Sequence, residues 1–187
     1  MPTINNNAFS AIELLIGLTC IALLIAIAIP AWQQMVSAQR LIQTTETLAQ
    51  DLRSARRLSL LNNTPFYIHF DNTLNHNPVA NDWCYVLSTV SDCHCLNATT
   101  PPPCMIMPDH LQHWQKSSDY PGIMMTEVVF GNHHSIRFNP VRGTASFGHI
   151  RLENSHNRAL LIYVSLIGRI RICSPVDVAL TASYPSC

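Results

Sequence analysis

From Phe9 to Trp32 the chain is apolar almost without interruption, FSAIELLIGLTCIALLIAIAIPAW. At 1.5 Å per residue a helix of that length crosses a hydrocarbon core of about 30 Å, so the pattern predicts a membrane-spanning helix. Within it Pro30, which lacks an N–H and clashes with the preceding turn, predicts a kink. From Gln33 to Leu61 the periodicity changes. Leu41, Thr45, Leu48, Leu52, Ala55 and Leu58 recur at three- and four-residue spacing, and Arg40, Arg53, Arg56 and Arg57 fill other positions, predicting an amphipathic helix with a solvated basic face. The cluster Asn62-Asn63-Thr64-Pro65 ends it. Beyond Pro65 come short β-branched and aromatic runs (PFYIHF, WCYVLSTV, TEVVF, SIRF, ASFGHIRL, ALLIYVSL and GRIRIC) separated by Asn, Pro and Gly clusters, which predict a mostly antiparallel sheet domain. Asn97 to Pro108, with three consecutive prolines, reads as a loop, and Asp109 to Gly122 as a short helical turn at most. The predicted class is α+β: a membrane helix over 9–32, its amphipathic continuation over 33–64, and a β-rich head over 65–187.

Composition narrows the function classes. Charged residues are 12% of the 187 and hydrophobic ones 48%, with Lys+Arg 11 against Asp+Glu 11, which argues against a disordered tail or a uniformly basic nucleic-acid binder. The balance is uneven along the chain. From Asn62 to Glu127 Lys116 alone stands against Asp71, Asp82, Asp92, Asp109, Asp119 and Glu127. From Val128 onward Arg137, Arg142, Arg151, Arg158, Arg169 and Arg171 outnumber Glu153 and Asp177, with His133, His134, His149 and His156 able to add charge in mild acid. An anionic partner is therefore expected at the C-terminal third.

Cys20 lies in the apolar run, and Cys84, Cys93, Cys95, Cys104, Cys173 and Cys187 lie beyond it, an even number suited to an oxidising compartment such as a periplasm. Zinc is the rival for Cys93-His94-Cys95 with Cys84 and Cys104. The one-residue spacing does not fit the usual knuckle, and disulfides are favoured. Cys173 and Cys187 form the natural pair; the other four leave three connectivities open.

The polar segment MPTINNNA precedes the apolar run and carries no Lys or Arg, unlike a secretory signal. Glu13 is an ionisable residue in a membrane helix, which calls for a partner. The stretch around it, A|FSAIELLIGLTCIALLIAIAIP, resembles the class III leader and N-terminal helix of type IV pilins and pseudopilins. The resemblance implies a leader at 1–8, cleavage between Ala8 and Phe9 by the prepilin peptidase, methylation of Phe9, Glu13 as the fifth mature residue and Pro30 as the twenty-second. Glu13 would then neutralise the N-terminal amine of an adjacent subunit. The chain departs from the family at Ala8, usually Gly, and in a leader without basic residues. LAQDLRSARRLSLLNNTPFYIHF, SIRFNPVRGTASFGHIRL and RALLIYVSLIGRIRIC further resemble the GspH/FimT minor pilins and pseudopilins. That resemblance implies two packed β-sheets and a terminal G-R-x-R strand, and leaves about 84–122 as a Cys-rich insertion.

On a strand, residues two apart share a face, so Arg169 and Arg171 would project together, about 7 Å apart, while Ile170 and Ile172 face the core. That separation is close to the phosphate spacing of a nucleic-acid strand, and guanidinium binds phosphate without regard to base. Gly168 has no side chain to hold a backbone or ligand away. In FimT-like proteins the motif is associated with binding DNA for natural transformation. Arg142, Arg151 and Arg158 would extend the surface if they fall on the same side, whereas pairing of the arginines with Glu153 and Asp177 would leave it inert. No phosphate loop, His-Glu-x-x-His or nucleophile with a recognisable base is present, so no enzyme, metal or cofactor is expected. The expectation is a minor pilin that captures DNA through its phosphates. It would contact other pilins, and would sit in the inner membrane with a periplasmic head before joining a pilus. A structural minor pilin of the tip or priming complex, or a type II secretion pseudopilin, are the alternatives.

Overall fold

A computed structural model describes residues 11–72, 82–96, 102, 104, 114–131, 134–176 and 184–187. The chain divides into two compact units, Met1–Val36 and Ser37–Cys187. The first element, α1, is Ala11–Asn62 and continues as helix through Pro30. Its portion in the first unit is long and apolar enough to cross a membrane, and Leu14, Leu18, Ile21, Leu24 and Ile27 are exposed. In water such a surface would be strongly unfavourable, which fits membrane anchoring. Ala8 and Phe9 lie outside the described residues, while Glu13 occupies the first turn.

In the second unit α1 buries Leu41, Thr45, Leu48, Leu52, Ala55 and Leu58, together with Thr44, Ala49 and Ser59. The buried set is the face that the three- and four-residue spacing marks. Thr45 satisfies its hydroxyl by donating to the Leu41 carbonyl one turn back, at 2.7 Å. The helix stops where Asn63 takes a left-handed φ of 50°.

Eight strands follow among the described residues: β1 Phe66–Asn72, β2 Trp83–Ser88, β3 Trp114–Lys116, β4 Ile123–Val129, β5 Ser135–Phe138, β6 Gly148–Asn154, β7 Ala159–Val164 and β8 Ile170–Cys173. They form two antiparallel four-stranded sheets, ordered β3-β2-β1-β5 and β4-β6-β7-β8. Alternation works as expected in β6, where Gly148, Ile150, Leu152 and Asn154 are out of solvent and the intervening residues are half-exposed. The larger of two buried clusters among the described residues joins the helix face to Phe66, Ile68 and Tyr85 of the first sheet and Met125, Ile150 and Ile162 of the second. Two of its aromatic side chains have their polar ends satisfied: Trp83 Nε1 donates to the Ile123 carbonyl at 2.9 Å, and the Tyr85 hydroxyl donates to Asp51 on α1 at 2.8 Å. Burial, and then the Asp51 carboxylate, push the Tyr85 phenol well above its ordinary pKa.

The stretch expected as a Cys-rich insertion, about 84–122, begins inside regular structure. Cys84–Ser88 lies in a strand buried along its whole length and paired with β1 and β3. The segment expected to hold a helical turn carries β3 as well as a short 3-10 turn at Ser117–Asp119. Disulfides join Cys84 to Cys95 and Cys93 to Cys104. The Asp71 carboxylate steadies this cystine loop, accepting from the amides of Cys95 and Leu96 at 2.7 and 3.4 Å and from His94 Nδ1 at 3.2 Å.

Candidate nucleic-acid interface

β7 and β8 are joined by a tight loop whose hydrogen bonds require a glycine. The Gly168 amide donates to the Ser165 carbonyl at 2.8 Å, the Ser165 amide donates to the Arg169 carbonyl at 3.0 Å, and Gly168 takes φ 73°. This is a tight hairpin turn closed by a left-handed glycine. The neighbouring loop, between β5 and β6, turns at Gly143 with φ 59°. The two loops are laced together: the Ala145 amide donates to the Leu166 carbonyl at 3.0 Å. A Cβ on Gly168 would collide with the Gly143 carbonyl and with the Arg56 side chain. What comes close to Gly168 is therefore another backbone.

Arg56 does not belong to the solvated face that the helix pattern suggests. It is half-buried, and its guanidinium donates to the carbonyls of Gly143 and Ile167, each at 3.1 Å. Charged donors bond carbonyls more strongly than neutral ones, so this side chain fixes both loops against the helix.

From that base β8 leaves with Ile172 in the core, Ile170 packed against it, and Arg169 and Arg171 exposed. Arg171 stands opposite Tyr163 in the β7 ladder. Both arginines and Tyr163 line a groove of about 830 Å³ walled by the C-terminal residues Pro185 to Cys187. They also line a second groove of about 280 Å³ with Phe147 and Ile167. The terminal wall is held by the Cys173–Cys187 disulfide, by Ser174 bonding Pro185 and Cys187 through the backbone, and by the Tyr184 hydroxyl, which donates to Glu46 on α1 at 3.1 Å. Burial, then that hydrogen bond, raise the Tyr184 pKa.

Arg142 lies in the Gly143 loop, exposed and at the same end of the sheet as Arg169. Two other candidates do not join them. Arg151 is bound to Glu153, Nε to Oε1 at 2.6 Å, and Arg158 lies in the β6–β7 hairpin at the far end of β7. Glu153 is thereby occupied away from β8, and Asp177 and His133 lie outside the described residues. Among the described residues no ion pair reaches Arg142, Arg169 or Arg171. Tyr163, Phe147 and Arg56 escape a motif-based reading. The signal for Tyr163 is its outward register in ALLIYVSL, opposite Arg171 across a short hairpin.

A long apolar N-terminal helix leading into a head of two antiparallel sheets is the build of a pilin-like protein. The family model described as type II transport protein GspH matches residues 44–168, and the chain belongs to that family, a structural kind of protein and a minor pilin or pseudopilin. The match ends at Gly168, so Arg169 and Arg171 lie just beyond it. No curated protein and no solved structure matches the chain.

Proposed function

We propose that this chain is a minor pilin that captures extracellular DNA without sequence preference, gripping successive phosphates with Arg169 and Arg171 for uptake during natural transformation. The observation that carries the reading is the exposed pair, Arg171 on β8 and Arg169 just before it, lining the same grooves on a braced loop and without an acidic partner among the described residues. Unpaired guanidinium groups lining one groove give affinity for phosphates that is electrostatic and blind to sequence. Arg142 adds positive charge at the same end of the sheet.

In this reading residues 1–8 are a leader removed between Ala8 and Phe9 by the prepilin peptidase, and Phe9 is then methylated. Residues 9–32 anchor the protein in the inner membrane with a periplasmic head, and later pack into the filament. There Glu13 pairs with the amine of a neighbouring subunit, a pairing favoured because neither charge is solvated in lipid. Pro30 shapes this half of the helix.

A second reading, a pseudopilin of type II secretion, is favoured by the matched family's being one of type II transport proteins. The two separate in the native host carrying Arg169→Gln with Arg171→Gln. DNA capture predicts lost transformation with normal filament number and normal protein export. Lost export with intact DNA uptake would establish the pseudopilin instead.

A further inference from the structure

Resting on the phosphate-clamp reading, we infer that the site takes unpaired DNA in preference to duplex, stacking a base in the groove between Tyr163 and Phe147 while Arg169 and Arg171 hold the adjoining phosphates. The smaller groove beside the arginines has an unusual composition for a phosphate site. Phe147 and Ile167 form its walls and are 61% and 67% exposed, next to the Tyr163 ring and the two guanidinium groups. A surface serving phosphates alone has no use for large apolar side chains left against water, whereas an unpaired base covers them with its own apolar face.

The Tyr163 ring is held for that role. His149 lies against it, ring centroids 5.3 Å apart, and His149 Nε2 is 3.3 Å from the Glu127 carboxylate. An aromatic ring supported from one side and bordering a groove on the other is a rigid stacking platform, and it costs little entropy to use. Both grooves border Arg169, Arg171 and Tyr163, which gives a strand a path across β8 from the Phe147 side to the Pro185 side. A duplex keeps its base faces stacked on one another, so it can satisfy the arginines but leaves the apolar walls wet.

Charge and stacking make opposite predictions, which allows a clean test. A duplex has the higher charge density and wins wherever phosphates alone decide. The full-length protein in a non-ionic detergent is titrated with a short fluorescent oligothymidylate, an abasic strand of the same length and a duplex of the same length. The expected result is tighter binding of the oligothymidylate than of the duplex, with the abasic strand weakened about tenfold. Phe147→Ser and Tyr163→Leu should each weaken the oligothymidylate about tenfold, a larger loss than either causes for the duplex; Phe147 is exposed, so its variant keeps the fold. Equal binding of abasic and normal strands, or a Phe147→Ser protein that binds all three probes like the parent, overturns base stacking. If duplex binding then still depends on Arg169 and Arg171, the phosphate clamp survives alone. Binding of none of the probes removes both.

Discussion

Arg56 Nε lies 3.1 Å from the carbonyl oxygen of Gly143, a residue 87 positions further along the chain. Through Nη2 the same guanidinium reaches Ile167, 111 positions away, so one helix side chain braces the two loops that present Arg142 and Arg169. The exposed arginines are thus mounted on a half-buried arginine rather than on the fully solvated one that the amphipathic pattern suggests.

Arg56→Met retains the aliphatic stem and deletes both hydrogen bonds. A hydrogen bond to a charged donor contributes about 1.5–3 kcal/mol when buried, and partial exposure here reduces that, so a total loss of about 1–3 kcal/mol is expected. Urea denaturation measures it. An unchanged midpoint would show that the brace adds nothing.

Gly168→Ala meets two penalties, a left-handed φ of 73° and a collision with the Gly143 carbonyl. Gly131, at φ 58° with open space around it, meets only the first. Gly131→Ala should cost about 1 kcal/mol and Gly168→Ala clearly more, about 2–3 kcal/mol or above. Equal costs in parallel denaturation curves would mean that the loop packing at Gly168 is slack.

The contrast between Arg56 and Leu52 explains what could be read from sequence. Leu52 is one of a set at helical spacing, and burial of that face follows from local periodicity alone. Arg56 sits at the margin of the same face, and its two partners come from loops that only the finished fold brings near. The long strands were legible from their β-branched and aromatic runs between Asn, Pro and Gly clusters. β3 was not, because three half-buried residues after a proline-rich stretch carry no period. Cysteine spacing led to disulfides over zinc but left Cys84, Cys93, Cys95 and Cys104 with three pairings, since connectivity depends on where β2 and the following loop come to lie. The shared exposure of Arg169 and Arg171 is what their two-residue spacing leads one to expect. The separation of Arg142 from Arg151 and Arg158 depends on which end of β7 each loop occupies.

The Cys173–Cys187 bridge closes a loop of sequence separation 14. Replacing both residues with Ser should cost about 3 kcal/mol on chain-entropy grounds and lower the melting temperature, as calorimetry would record. A melting temperature equal to the parent's would show that the backbone bonds at Ser174 and the Tyr184–Glu46 contact hold the tail unaided.

Two histidines should titrate on opposite sides of the ordinary value of 6.5. Burial lowers His69, whose Nε2 lies 3.0 Å from the Val90 carbonyl, whereas the hydrogen bond to Asp71 and then its charge raise His94. The signs follow by linkage. The His94 contribution is full below 6.5 and is lost as pH rises through its raised folded value; the His69 term costs stability as pH falls from 6.5 toward its depressed folded value. NMR titration should give the two curves in that order, with Asp71→Asn returning His94 toward 6.5. A His94 curve untouched by Asp71→Asn would break the assignment.

The most direct test of phosphate gripping is the salt dependence of duplex binding by the full-length protein and by the Arg169→Gln, Arg171→Gln variant. Each neutralised phosphate contributes about −0.9 to the slope of log K against log salt, so removing two clamps should make the slope shallower by about 1.8 as affinity falls. A variant that binds with the parent's slope and affinity would contradict the account and leave the arginines without a role in DNA capture.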